Sequence, residues 1–161
     1  MRVGIGYDLH RFLPDGTGSL RLGGIEVAEA PQLDGHSDGD ALIHAVIDAL
    51  LGAAGEGDIG QHFPPGDPAT RGIDSRELLT RVVRLVVARG FRVHNVDATV
   101  ITERPRLAPH LGPMRDAIAR CLGVASSGVN VKATTNERFG SLGSGEALAA
   151  MAVVLLDEDV P

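Results

Sequence analysis

Leu42, Ile43, Val46, Ile47, Leu50 and Leu51 recur at helical spacing and mark one buried face of a helix. Ser37, followed three places later by Asp40 just ahead of this run, carries the residue types of a helix start. A second helix is predicted from Asp74 or Ser75 to Arg89, burying Leu78, Leu79, Val82, Val83 and Val86, with Gly90 just past its end. Its dispersed Arg76, Arg81, Arg84 and Arg89 read as a solvated face. A third helix, about His110–Leu122, buries Leu111, Met114, Ile118 and Leu122 and stops at Gly123.

Strand patterns alternate with these helices. Met1–His10 reads as a strand with Val3, Ile5 and Tyr7 on one side, and Asp8 and His10 on the other. Ser19–Ala28 reads as a second strand whose apolar positions change face around Gly23-Gly24, a bulge or tight turn. Phe91–Thr102 is rich in Val, Thr and Ile, and Val129, Val131 and Ala133 alternate with Asn130, Lys132 and Thr134. Leu13–Gly18 has turn chemistry, Ala30–Gly35 is a loop, and Gly52–Asp67 is a long connection of the kind that is usually functional. Glu146–Leu156 is open between an Ala-rich helix and a strand ending Val-Val-Leu-Leu. One domain over residues 1–161 is expected, an α/β or α+β sandwich of one sheet against helices.

Composition narrows the function classes. Net charge is −6, with four Phe, one Tyr and no Trp, which argues against a nucleic-acid footprint or base-stacking platform. The longest apolar run, Ala147–Leu156, is too short to span a bilayer, and no signal-peptide h-region is visible. Cys121 is the only cysteine, so no internal disulfide or Cys-based zinc site forms; its apolar helical face suits an inert thiol. A cytoplasmic enzyme or binding protein fits these bounds.

The chemistry-bearing residues lie on the first strand and first helix. Asp40, His44 and Asp48 are each four apart and stack along one helix face. Taken alone that stripe fits a solvated surface; facing a site, His44 becomes a ligand with a carboxylate orienting it. Asp8 and His10 leave their strand in the same direction. An acid and two imidazoles are three N/O ligands, the set of an open catalytic zinc site. Asp34-Gly-His-Ser-Asp-Gly-Asp40 fails as a calcium loop, having His36 at its third position and Ala45 at its twelfth. A phosphorylated substrate is suggested by His36-Ser37 at a helix N-terminus, by the Thr134-Thr135 hydroxyls at a strand end, and by Glu137 as a hard-cation contact. Gly140–Gly145 is glycine-rich but lacks the Lys-Ser/Thr end of a phosphate loop. Asp58 and Asp67 are polar candidates in the long connection, equally readable as turn carboxylates.

Several motifs in order resemble the methylerythritol cyclodiphosphate synthase family. They are Asp8-Leu-His10, His36-Ser-Asp-Gly-Asp40 leading into His44, Gly57-Asp-Ile-Gly60 with Phe63-Pro64, Asp74-Ser-Arg76, and Val129-Asn-Val-Lys-Ala-Thr-Thr135 with Glu137. The resemblance implies one mixed sheet packed on helices in a ferredoxin-like arrangement, and a homotrimer with its sheets facing the threefold axis. It implies cyclisation of a CDP-methylerythritol 2-phosphate to the 2,4-cyclodiphosphate with release of CMP, in the non-mevalonate isoprenoid route. Active sites would lie between subunits, each with one Zn²⁺ and one Mg²⁺ or Mn²⁺. Asp8, His10 and His44 match the zinc ligands, and Glu137 the contact of the second metal. His36 and Thr135 match the transition-state residues, with Ser37 beside the phosphates. Asp58, Ile59, Gly60, Phe63 and Asp67 match the segment holding the methylerythritol part. Thr102, Arg106, Leu107, Ala108, Thr134, Thr135, Asn136 and Glu137 match the cytidine and α-phosphate pocket, largely of the adjacent subunit.

This chain departs from the family pattern at Pro65-Gly66, where more polar residues are usual, and at Ser141 and Ser144, where many members carry an aromatic and an Arg. Ala147 stands for a usual Gly. A zinc hydrolase using the same three ligands, with Asp40 or Asp48 as base, is the alternative chemistry. A non-catalytic trimeric metal-binding module is the bland one.

Overall fold

The computed structural model describes residues 1–14 and 18–158, so Asp15–Thr17 of the expected Leu13–Gly18 turn lie outside the described residues. The main sheet has four strands, β1 (Arg2–Arg11), β4 (Phe91–Ile101), β5 (Val129–Thr134) and β6 (Ala147–Glu158), in the order β1-β6-β4-β5. β6 pairs antiparallel with both β1 and β4, while β4 and β5 are parallel. Helices α1 (Ala41–Ala54), α3 (Ser75–Ala88) and α4 (Leu111–Leu122) cover it, and α4 is the crossover that parallel pairing of β4 and β5 requires. Two single-turn helices, α2 (Ile59–His62) and α5 (Gly140–Gly143), complete the chain.

The α+β layering matches expectation, but the ferredoxin-like arrangement does not hold. That arrangement runs β-α-β-β-α-β. Here the main-sheet strands and covering helices run β-α-α-β-α-β-β, and the parallel pair lies at the edge of the sheet. Glu146–Leu156 resolves as strand β6, whose central place leaves Ala147–Ala150 buried along both faces and so erases the alternation that marks a half-buried strand.

Helix α1 sits against β1 and β6, with Leu42, Ile43, Ile47, Leu50 and Leu51 fully buried. Each contributes roughly 1.5–3 kcal/mol of transfer free energy. The close approach of α1 to β1 is set by two glycines on the helix-facing side of the strand. A Cβ on Gly4 would stand 2.0 Å from the Ala49 carbonyl oxygen, and one on Gly6 1.9 Å from that of Ala45. Asp8 and His10 continue that same side of β1.

The start of α1 differs from the sequence expectation. Asp40, not Ser37, is the N-cap, its side chain accepting from the Ile43 amide at 3.0 Å, and Ala41 is the first helical residue. Asp40 is 1 % exposed and also accepts from the Gly23 and Gly24 amides at 2.8 and 2.7 Å. Those two glycines, both at positive φ, form the tight turn of a hairpin, β2 (Leu20–Leu22) with β3 (Ile25–Val27), instead of one bulged strand. The long connection is also shorter than it reads, because α1 runs to Ala54 and Asp58 caps α2.

Among the described residues, none of α1, α3 and α4 covers the other face of the sheet. There Val3, Ile5, Tyr7 and Leu9 of β1 lie in register with Leu155, Val153, Met151 and Ala149 of β6. Val3, Ile5, Tyr7, Leu9, Met151 and Val153 are each at least 40 % exposed. Toward β5 this face turns polar, with Asp97 accepting from Asn130 and paired with Lys132.

Candidate active site

The side chains of Asp8, His10 and His44 converge. Asp8 Oδ2 lies 2.8 Å from His10 Nε2 and 3.0 Å from His44 Nδ1, and the two ring nitrogens are 3.3 Å apart. One donor atom from each residue fits within a 4.8 Å sphere of mutual distance, the only such group among the described residues. Strand β1 delivers the first two at alternate positions, and the first turn of α1 delivers the third.

The outer nitrogens of both rings are engaged, and this orients the rings. His10 Nδ1–H donates to the Asp34 carbonyl, so Nε2 is the nitrogen that faces Asp8 and His44. His44 Nε2 lies 2.9 Å from Ser75 Oγ and 3.0 Å from Ser37 Oγ, with Nδ1 on the inner side. Burial favours the neutral form of Asp8, but hydrogen bonds and charge from His10 and His44 outweigh it and hold the carboxyl far below its usual range. Burial pulls His10 down, and its bond to Asp8 and the nearby Asp34 more than offset that, so its pKa is raised. An acid held ionised beside two oriented imidazoles is a donor set suited to zinc, with room for a further ligand.

A cavity of about 180 Å³ opens on this cluster. Of the sequence candidates it is lined by Asp8, His10, His36, Ser37, His44, Ile59, Gly60 and Phe63. Asp58 and Asp67 are not on its wall. Asp58 accepts from the Gln61 amide and side chain, and Asp67 accepts from the Ala69 amide, the turn-carboxylate alternative. His36 and Ser37 precede the helix by several residues, so they do not stand at an uncapped helix N-terminus. Neither carboxylate of the 40-44-48 stripe orients His44: Asp40 caps the helix, and Asp48 accepts from the Ile59 amide at 2.7 Å, positioning α2.

The remaining candidates form a second cavity of about 390 Å³, lined by Thr102, Arg106, Leu107, Ala108, Thr134 and Thr135 among others. It lies beside the cis Arg104–Pro105 bond. Asn136 and Glu137 are in the loop beyond: the Asn136 amide donates to Glu103, and Thr135 Oγ1 donates to Glu137 at 3.1 Å. Glu137 has φ +50, which turns the chain back at the strand end.

The two cavities share no residue. Thr134 pairs with Ile101, Ile101 with Ala149, and Ala149 with Leu9, so both lie at one end of the sheet but on opposite edge strands. Three strand spacings separate them by roughly 14 Å. A single chain therefore presents two separate cavities. The sequence also left out Asp38, Ser75, Thr70 and Leu78; Ser75 stood inside the Asp74-Ser-Arg76 motif, but nothing in the sequence tied it to His44.

Fold and site together define an α+β protein with a metal-ready acid–imidazole cluster and a separate polar strand-end pocket. Residues 1–157 match the YgbB family model. The chain belongs to the YgbB family. It is 58% identical, over 99% of its length and 96% of the relative's, to a 2-C-methyl-D-erythritol 2,4-cyclodiphosphate synthase of Alkalilimnicola ehrlichii. Its fold is similar to that of the Plasmodium falciparum IspF solved with CDP, at TM-score 0.85 and 30% identity over 99% of this chain and 97% of that one. It is similar also to the bifunctional IspDF of Campylobacter jejuni, at TM-score 0.93 and 37% identity, over 98% of this chain and 42% of that longer one.

Proposed function

We infer that this chain is a phosphorus–oxygen lyase, a 161-residue catalytic domain acting in the cytoplasm on the non-mevalonate isoprenoid route. It cyclises 4-CDP-2-C-methyl-D-erythritol 2-phosphate to 2-C-methyl-D-erythritol 2,4-cyclodiphosphate and releases CMP. The observation that carries this reading is the convergence of Asp8, His10 and His44 on a cavity lined by His36 and Ser37, in a chain of this family.

An oxygen of the 2-phosphate attacks the β-phosphorus, and the bond from that phosphorus to the oxygen bridging to the α-phosphate breaks. That oxygen leaves with CMP. Nucleophile and electrophile are one molecule, so holding them in line supplies much of the acceleration, on the order of 7–11 kcal/mol for well-oriented intramolecular reactions. Ile59, Gly60, Phe63 and Pro65 form the wall against which the methylerythritol part rests. Pro65 makes that wall less polar than is usual in the family. His36 and Ser37 stand at its rim, where ring N–H and hydroxyl meet phosphate oxygens.

Asp8, His10 and His44 would hold Zn²⁺, which when bound supplies a Lewis acid and template for phosphate oxygens. Glu137 would hold Mg²⁺ or Mn²⁺ together with the diphosphate. Thr102, Arg106, Leu107, Ala108, Thr134, Thr135 and Asn136 receive the CDP end, Thr135 donating to the phosphate whose charge grows as CMP leaves.

The two cavities meet when three copies assemble. The uncovered apolar face of β1 and β6 supports a homotrimer packed sheet to axis, which brings the β1 edge of one chain beside the β5 edge of the next. The substrate is then sealed between subunits, where water is kept from the diphosphate.

Phosphorus NMR of zinc-loaded protein with the CDP-linked substrate tests this. The expected products are CMP and a cyclic diphosphate, with turnover reduced by about 10²-fold or more in a folded Asp8→Ala variant. Ring-opened hydrolysis products would instead establish the hydrolase.

A further inference from the structure

His44 is held from behind by a chain of polar groups that the reaction does not itself require. Ser75, the first residue of α3, is fully buried, and its Oγ lies 2.9 Å from His44 Nε2. The same hydroxyl donates to Asp38 Oδ1 at 2.5 Å, and Asp38 Oδ2 accepts from the Ser75 amide at 3.0 Å. Asp38 Oδ1 also accepts from the Asp40 amide at 3.2 Å. A hydroxyl has one proton. Since Asp38 receives it, Ser75 faces His44 as an acceptor, and His44 must bring the hydrogen on Nε2. Its Nδ1 then faces Asp8 at 3.0 Å, on the side where a metal ion would sit.

We propose that Asp38 and Ser75 are positioning residues for the metal centre: a carboxylate–hydroxyl relay that holds the Nε2 hydrogen of His44, leaves Nδ1 for the ion and sets the affinity. The inference rests on the reading that Asp8, His10 and His44 hold zinc. The relay joins three segments that are far apart in sequence, the loop before α1, α1 itself and the start of α3. It therefore fixes that loop and the start of α3 against His44. Ser37 makes the second contact to His44 Nε2 at 3.0 Å from the cavity wall. With Ser75 as the buried acceptor, the Ser37 proton is left over for a phosphate oxygen.

Two variants act on opposite ends of the relay. Ser75→Ala removes the acceptor while sparing both backbone bonds to Asp38. Asp38→Asn keeps the shape of the side chain but can present an amide N–H to Ser75, turning the serine proton toward His44 and moving the imidazole hydrogen to Nδ1. Zinc affinity is read by competition with a chromophoric chelator, on variants whose melting transition and circular dichroism show the folded state. Loss of an outer partner of a metal-bound imidazole typically weakens metal binding about 10–100-fold. That range is expected for both variants, with Asp38→Asn the more severe.

Long-range proton–nitrogen NMR of the metal-free wild type reads whether His44 Nε2 carries a hydrogen. That hydrogen is expected in the wild type and its loss in Asp38→Asn. A wild-type Nε2 without a hydrogen overturns the relay, as does zinc affinity within twofold of wild type in the folded variants. A purely structural role would lower the melting temperature and leave affinity per folded molecule and the tautomer unmoved. A wild type that fails to compete for zinc at all would instead remove the metal reading on which the relay stands.

Discussion

Asp8 and His10 carry opposite pKa shifts that give the metal-free protein a particular pH dependence. Asp8 lies below its ordinary 3.8, so it contributes stability above that pH which is lost as pH falls through the folded value. His10 lies above its ordinary 6.5, so its contribution is complete below that pH and is lost as pH rises through its folded value. In chelator-treated protein the stability that this pair contributes is therefore expected to be complete between about 3.8 and 6.5 and to be lost as pH rises beyond the upper limit. Zinc competes with the His10 proton, so loaded protein should be protected more strongly as pH rises through that same region. Thermal melts across pH with and without chelator check this; a protection that does not grow with pH would contradict shared ligation. At this scale the sequence picked out Asp8, His10 and His44 as candidate ligands, which the structure brings together, but not what holds them. Asp-x-His on a strand places two side chains together by geometry alone, whereas Ser75 reaches His44 only because α3 packs against α1.

The elements that matter most are β1 and α1, because together they hold all three converging side chains. Their separation depends on Gly4 and Gly6, where a Cβ would enter the backbone of the helix. Gly6→Ala is expected to force strand and helix apart, at about 1–3 kcal/mol for an overpacked contact. For a chain of this size that lowers the melting temperature by roughly 2–12 °C. It should also weaken zinc binding, since Asp8 and His10 move with the strand and His44 with the helix. Gly112→Ala, in α4 with open space around it, serves as the control and should be neutral or slightly stabilising. Calorimetry and chelator competition read both effects. Helices α1, α3 and α4 were legible because amphipathic periodicity and glycine stops are local signals. The β2–β3 hairpin and the strand nature of β6 were not: one depends on Asp40 reaching back to cap a turn, the other on burial from both faces.

At the scale of the whole molecule the proposed trimer would join the metal cavity of one chain to the threonine cavity of the next. Inactivating one half in one chain and the other half in a second chain tests the arrangement directly. His44→Ala removes a metal ligand, and Thr135→Ala removes a donor of the other cavity. Each alone should lack turnover. Unfolded together in equal amounts and reassembled, they should recover about one quarter of wild-type activity, the chance that a site draws its intact metal half and intact nucleotide half from different chains. Phosphorus NMR or CMP release measures the recovery. Sites complete within one chain would give none. An Ile5→Asp substitution on the uncovered face should leave the monomer folded while abolishing both the assembled mass in sedimentation and the activity.

The sequence alone determined the candidate ligands, the amphipathic helices, the alternation of strand and helix, and the family resemblance. All are carried by residue type and short-range spacing. The tertiary structure decided that Asp40 caps a helix and pins a turn, that Asp38 and Ser75 stand behind His44, and that the chain order is not ferredoxin-like. It decided too that the metal cluster and the threonine pocket occupy opposite edges of one sheet. Those outcomes depend on which buried polar groups find partners across distant segments, and on the register of strands more than a hundred residues apart. Neither has a local signature, because a hydrogen bond between remote segments exists only after the apolar faces have brought them together.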